Sequence, residues 1–362
     1  MVVAPAEALR VTLQRYLSRL LLGRMLMVLL GLAALLQLLD LFDRASEVLA
    51  HGGMADIARY TLLRLPTLLG QLIPLAVLVG AILTFRRLAG MLEITALRAA
   101  GVGAWHLLRA LVPACVIAMG LQLALHLGVV PRSERALADW WDGRSNSGGA
   151  VATAPRLWLR TGRDILSVEA VSLDGRRLEG VLLIRRDAEG RAVLQVDARH
   201  ATHGPQGWLL EDARIARPGI PQTMAAQTFT WPEGPPPLRL REASRPTEAQ
   251  TLGQIFAGLR GEGVVTHGSA FYATRVQALL AVFATPALML LLSLPAAFGL
   301  PRQDGAGWRA VAGLVLGLGY LVTGGLLTAL GEAGALPPAI AVWTAPACFA
   351  IAGFWLLWRE EF

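Results

Sequence analysis

Residues 85–106 read FRRLAGMLEITALRAAGVGAWH, a mostly apolar stretch in which Arg86, Arg87 and Arg98 are the cations and Glu93 is the one acid. It joins two longer apolar runs, about 60–84 and 104–130. Each of these reaches the roughly 20 apolar residues needed to cross a bilayer. Working outward, four more runs of that kind lie at about 20–41, 274–300, 308–330 and 338–358, which makes six expected spans. Composition agrees: 54% of the 362 residues are hydrophobic, 16% are charged and mean hydropathy is +0.51, well above a soluble domain. Arg64, Arg109 and Arg275 fall near span ends, where a long cationic side chain snorkels to the interface.

The short connections set an expected orientation. Arg10, Arg15, Arg19 and Arg24 lead into the first span, Arg86, Arg87 and Arg98 fill the second connection, and Arg302 and Arg309 flank the fourth and fifth spans. Arginine-rich short loops stay on the cytoplasmic side. The opposite loops carry Asp43, Glu47 and Asp56, or Glu332 alone. Both termini are therefore expected inside the cell, with the first run kept as a span: it is too long for a signal-peptide core and no A-x-A cleavage site follows it.

The long connection, 131–270, has a different texture and is expected to be a separate domain on the outer side, leaving 1–130 and 271–362 as the membrane portions. RLWLR (156–160), DILSVEAV (164–171), LEGVLLIRR (178–186), RAVLQVDARHATH (191–203), GWLLEDARIAR (207–217) and QTFTW (227–231) are strand-like. Turns at Asp174-Gly175, Glu189-Gly190 and Gly204-Pro205 separate them. Short strands at this spacing predict an all-β sandwich or roll. Val181 and Leu183, and Val193, Gln195 and Asp197, alternate with their neighbours as strands with one face turned inward do. The Pro-rich WPEGPPPLRLR (231–241) reads as an extended linker.

Several chemistries are excluded. All 33 basic residues are Arg, so no Walker A lysine exists to reach nucleotide phosphates. Cys115 and Cys348 sit in apolar runs and imply neither a disulfide framework nor a zinc site. The six histidines do not cluster, and His200 and His203, three apart in a strand, point to opposite faces. No catalytic constellation, resident metal or nucleic-acid site is expected.

In 85–101, Leu88, Met91, Leu92, Thr95, Ala96 and Ala99 recur at helical spacing. A helix over about 86–100 would carry one apolar stripe along the membrane surface, with Glu93 off it. A lone acid there is ordinarily solvated or paired with a neighbouring Arg, which contributes about 0–1 kcal/mol.

The order of parts resembles the LptF/LptG family of lipopolysaccharide-export permeases across essentially the whole chain. The resemblance is carried by RYLSRLLLG (15–23), by MLEITALRAAGVGAWHLLR (91–109) and by the β insertion between the third and fourth spans. Within the second stretch, Glu93 followed by Arg98-Ala99-Ala100-Gly101 fills the family's E-x-x-x-x-(R/Q)-A-(A/S)-G pattern. The run LLDLFDRASEVL (38–49) resembles the LptG branch more than the LptF branch.

The resemblance implies a half-transporter: an α-helical membrane protein with a jellyroll-like periplasmic insertion, paired with a sister permease in the bacterial inner membrane. Two copies of a cytoplasmic ATPase would bind below, with ATP and Mg on that partner and no cofactor on this chain. Lipopolysaccharide would pass to a membrane-anchored jellyroll protein. Glu93, Arg98, Arg86, Arg87 and Leu92 would couple to the ATPase. Arg44, with Asp40 beside it, would flank the substrate entrance, and Tyr320 would face the cavity. Gly313 and Gly317, a G-x-x-x-G spacing that lets helices approach closely, would lie at the subunit seam. The competing readings are a secondary transporter, which ordinarily shows internal repeats and mid-membrane ionisable groups, and a membrane-anchored scaffold or enzyme whose β domain acts alone.

Overall fold

The computed structural model describes residues 6–50, 53–99, 101, 103–145, 156–172, 174–220, 224–243, 245–261, 264–294 and 306–361. Arg302, Ala100 and the expected end of the fourth span, 295–300, lie outside the described residues, as do the side chains of Arg10, Glu47 and Arg98. The chain divides into two compact units, Met1–Ser133 with Thr274–Phe362, and Glu134–Ala273.

The first unit is helical. In chain order its helices are α1 (Ala6–Ala50), α2 (Met54–Gly90), α3 (Glu93–Ala99) and α4 (Ala104–Ala124); a π-helical turn at Leu125–Val129 follows and leads into α5 (Val130–Ser145). Beyond the insertion come α8 (Ser269–Ser293), α9 (Ala306–Glu332) and α10 (Pro338–Glu361). Among the described residues, six helical stretches are long and apolar enough to cross a membrane. Inside hydrocarbon the backbone must satisfy its own polar groups, and helices do so. Four of these helices contain proline: α2 at Pro66 and Pro74, α4 at Pro113, α8 at Pro286 and α10 at Pro346. Neither α1 nor α9 does.

α1 packs along α2 over most of its length, with Leu17, Leu21, Met25, Leu29 and Ala33 buried at three- and four-residue intervals. The closest approach is at Gly80: a Cβ there would lie 2.9 Å from the backbone N and Cα of Met25. An Arg24 guanidinium N–H also donates to the carbonyl of Leu83. The π-helical turn sets His126 against Gly70, where an added Cβ would come within 3.2 Å of the imidazole.

The second unit holds one antiparallel sheet. Its strands are β1 (Leu157–Thr161), β2 (Asp164–Val168), β3 (Ala170–Val171), β4 (Arg177–Arg186), β5 (Ala192–Gly204), β6 (Gly207–Ala216), β7 (Met224–Trp231) and β8 (Val264–Val265). Their order is β7-β6-β5-β4-β2-β1-β8, with β3 pairing β4 off the path. β2 and β7 are four strands apart, about 19 Å if the sheet were flat. Trp231 Nε1 nevertheless donates to Asp164 Oδ2 at 2.9 Å, so the sheet curls round on itself as the expected roll does.

A line of kinks crosses the sheet. Core-facing residues step by three on three adjacent strands at one level, Leu178 to Val181, Ala198 to Ala201 and Leu210 to Ala213. The break carries positive φ at Gly180 and Asp212, 59° and 53°. Displaced residues of this kind bend strands and increase their twist. Inside the curl lie Trp208 and Trp231, both fully buried, with Leu166, Leu183 and Val196.

Two expectations are corrected. Val193, Gln195 and Asp197 lie on the exposed face of β5, and the core residues of that strand are Val196, Ala198 and Ala201. The Pro-rich linker is not extended throughout: Pro237–Ala243 form α6, which sends Leu240 into the β core, because proline suits the first helical turn. Before the sheet, helix continues to Ser145. A 3₁₀ turn (Thr247–Ala249) and α7 (Leu252–Arg260) complete the unit. α7 opens on a Thr251/Gln254 capping box and closes at Gly261 with φ 72°.

Candidate functional site

The Glu93 stretch is not one helix over 86–100. α2 continues through Arg86 and Arg87, both exposed, and ends at Gly90. The chain turns at Met91 and Leu92, with Leu92 at φ 59°, a conformation that costs a side chain about 1–2 kcal/mol. A new seven-residue helix, α3, then begins at Glu93.

The break divides the apolar stripe. Leu88 remains on α2 and is fully buried, whereas Met91 and Leu92 are 63% and 58% exposed. Thr95, Ala96 and Ala99 are exposed as well. It is Ile94, 6% exposed, that anchors α3 in the helical core. Most of the stripe read from the sequence therefore faces outward. Glu93 pairs with neither Arg86 nor Arg87 in the described contacts; the hydroxyl of Tyr16 on α1 donates to its two carboxylate oxygens, at 3.3 and 3.2 Å. The side chain of Arg98 is outside the described residues.

At the other end of α1, Asp40 faces α2 and not Arg44. Its Oδ2 accepts from the Tyr60 hydroxyl at 2.5 Å and lies 3.9 Å from Arg64 Nε. Asp43 and Arg44 are exposed one turn further on. Gln37, one turn before, is buried. Asp40 is thus engaged in holding two helices together, and of the expected entrance residues Arg44 alone presents a cation outward.

Tyr320 and the glycine pair are corrected. Tyr320 is 7% exposed, its hydroxyl lies 3.2 Å from Thr285 Oγ1 on α8, and its ring meets Phe349 of α10 edge-on at 5.8 Å. It fills a contact among three helices of this chain and does not line an open wall. Gly313 and Gly317 face inward too: a Cβ on Gly313 would lie 3.1 Å from the Leu292 carbonyl, and one on Gly317 would collide with Leu78 of α2. The small residues serve close packing within the chain. The outward face of α9 carries Val311, Val315, Leu318, Val322 and Leu326.

In the β unit, His203 lies edge-on to buried Trp208 at 5.1 Å, while His200 is opposite Glu179 and Glu211 on the other face. Asp164, buried among apolar side chains, accepts from Trp231 and from Arg185, whose Nε and a terminal N–H are each 3.3 Å away. Those bonds hold the Arg185 guanidinium above its ordinary value and outweigh its partial burial.

Among the described residues, six bilayer-length helices, a β unit inserted between the third and fourth, and a short, partly exposed helix joining the second and third define a membrane protein with an inserted sheet. The chain belongs to the family described as lipopolysaccharide export system permease LptF/LptG, which matches residues 15–359. It is similar to the lipopolysaccharide export system permease protein LptG of Escherichia coli (strain K12), at 23% identity over 96% of this chain and 98% of that protein. It is equally similar to the protein of the same name from Haemophilus influenzae, 23% identical over 97% of this chain and 99% of the relative. Both relatives are of the LptG branch, the one that residues 38–49 resemble.

Proposed function

We propose that this chain is one permease subunit of an ATP-driven transporter that takes lipopolysaccharide from the outer leaflet of the inner membrane and hands it to a periplasmic jellyroll bridge. The observation that carries the reading is the family match from residue 15 to residue 359. In this reading the termini and α3 face the cytoplasm and the β unit faces the periplasm. A sister permease packs beside the chain, and a cytoplasmic ATPase dimer binds ATP and Mg.

The exposed apolar face of α3 supports an ATPase contact. Met91, Leu92, Thr95, Ala96 and Ala99 present an uncovered patch at a helical hairpin's tip, and uncovered apolar patches mark partner sites. Leu92 and Met91 seat in the ATPase groove, Glu93 supplies a charge beside it, and Arg86, Arg87 and Arg98 surround it with cations. Arg44 attracts the phosphorylated head group at the entrance. A sheltered path is physically required, since exposing lipid chains costs about 0.8 kcal/mol per CH₂.

Co-purification and reconstitution with Glu93→Ala test the coupling role. The variant is expected to keep the permease pair and to lose the ATPase or to lower lipopolysaccharide released per ATP about five-fold or more, the low end of typical coupling free energies. Unchanged stoichiometry, hydrolysis and release would remove Glu93 from the mechanism.

A further inference from the structure

The carboxylate at the start of α3 is held by a residue 77 positions earlier. Tyr16 lies on α1 next to Leu17, which is buried in the helical core, so its ring stands at the rim of the packed face of α1. From there its hydroxyl reaches both oxygens of Glu93. Arg24, two turns along α1, is within electrostatic range of Tyr16 and of Arg87 on α2. Among the described side chains, Glu93, Tyr16, Arg24 and Arg87 are thus placed along the seam where α1, α2 and α3 meet.

Two attachments of α3 to the helical unit differ in kind. Ile94 is buried in the core that α1, α2 and α4 share. A seven-residue helix held by one apolar side chain is free to roll about it, and a directional second contact fixes that roll. The hydrogen bonds from Tyr16 are directional and join α3 to α1 specifically. α1 is in turn fixed to α2 at Met25–Gly80, at Arg24–Leu83 and at Asp40–Tyr60. A displacement imposed on Glu93 thus has a path into α1 that does not pass through the turn at Met91 and Leu92.

We propose that Tyr16 is a positioning residue that holds the Glu93 carboxylate on α1, so that movement received at α3 is delivered to α1 and its outer end. The proposal rests on the coupling role of Glu93 given above. Tyr16 touches neither nucleotide nor lipid in this assignment and acts through Glu93.

The test compares wild type, Tyr16→Phe, Glu93→Gln and the double variant in the complete complex, reconstituted in proteoliposomes with lipopolysaccharide, scoring hydrolysis and release separately. Tyr16→Phe keeps the ring and removes the donor. It should leave assembly and ATP hydrolysis near wild type while release per ATP falls roughly three-fold or more, the scale of one lost hydrogen bond. Glu93→Gln should lower the ratio at least as far, and the double variant should match Glu93→Gln alone, because residues acting through one contact are not additive. Amide exchange across α3 should also quicken in Tyr16→Phe, a reading that does not depend on transport. An unchanged ratio in Tyr16→Phe, or a double variant that multiplies the two losses, overturns the proposal for Tyr16 while leaving Glu93 in place. A Glu93→Gln variant with a normal ratio overturns the coupling role itself, and the Tyr16 assignment with it.

Discussion

Asp174 shows how a single side chain can govern a turn. Its Oδ1 accepts from the Ser172 hydroxyl at 2.6 Å and from the Arg176 backbone N–H at 3.0 Å. Ser172 Oγ in turn accepts from the Arg177 N–H, and Gly175 completes the turn at φ 69°. The Ser172 bond, then the Arg176 bond, hold the carboxyl below its ordinary value of 3.8. A carboxyl lowered by folding stabilises the turn fully above the unfolded value and loses that share as pH falls through the lowered one. Protection of the Arg176 and Arg177 amides, corrected for intrinsic exchange, should therefore stay level from neutral pH to about 4 and decline below it; Asp174→Asn should remove that pH dependence. This turn was legible, because Asp-Gly between apolar strands has few other readings. The Tyr16–Glu93 contact was not: its partners are far apart in sequence, and a tyrosine within an apolar run carries no local mark of its bond.

At the scale of elements, strand positions followed closely from alternation, and the span centres from apolar runs. Helix ends did not, because hydropathy marks where lipid touches the chain and α1 continues well past both edges of its apolar run. The break before α3 was hidden for another reason: Met91 and Leu92 keep a helical rhythm with Leu88 and Thr95, and nothing in their chemistry announces a left-handed residue. α7 did carry a readable sign, the Thr251-x-x-Gln254 box, which the Pro-rich stretch before it obscured. The G-x-x-x-G spacing was visible but its direction was not, since small residues can face a neighbour in the same chain or in another. Gly317→Val distinguishes the two. Overpacking against Leu78 should cost about 1–3 kcal/mol and lower the thermal midpoint of the purified chain, whereas Val322→Leu on the outward face should leave it unchanged. A Gly317→Val chain of normal midpoint that fails only to pair with a second permease would return these glycines to the subunit seam.

For the whole molecule, the proposed orientation places the six candidate spans of the described residues so that both termini lie on the cytoplasmic side and the inserted sheet, which follows the third span, on the periplasmic side. Single cysteines placed at the exposed positions Thr12 and Thr95 in a chain lacking Cys115 and Cys348 should resist a membrane-impermeant thiol reagent in intact spheroplasts. One placed at Thr228 on the sheet should react. Labelling at Thr95 and Thr228 alike would break the proposed orientation. The division into two units was legible as a change of texture, from continuous apolar runs to alternating strands. The curl of the sheet was legible only as the expected sandwich or roll; the hydrogen bond from Trp231 to Asp164 that closes it was not, because no strand pattern measures that distance.

The distribution of proline has a mechanical consequence. Sharp bends in helices occur above all at proline, so α2, α4, α8 and α10 each contain a point of compliance, while α1 and α9 are uninterrupted rods. α1 is 45 residues long, about 68 Å at 1.5 Å per residue. A rigid rod that pivots about its middle moves its two ends in opposite directions, so in the proposed coupling a tilt imposed at the Tyr16 end would reach the region of Arg44 reversed. α2, packed beside it, holds two points of compliance, at Pro66 and Pro74.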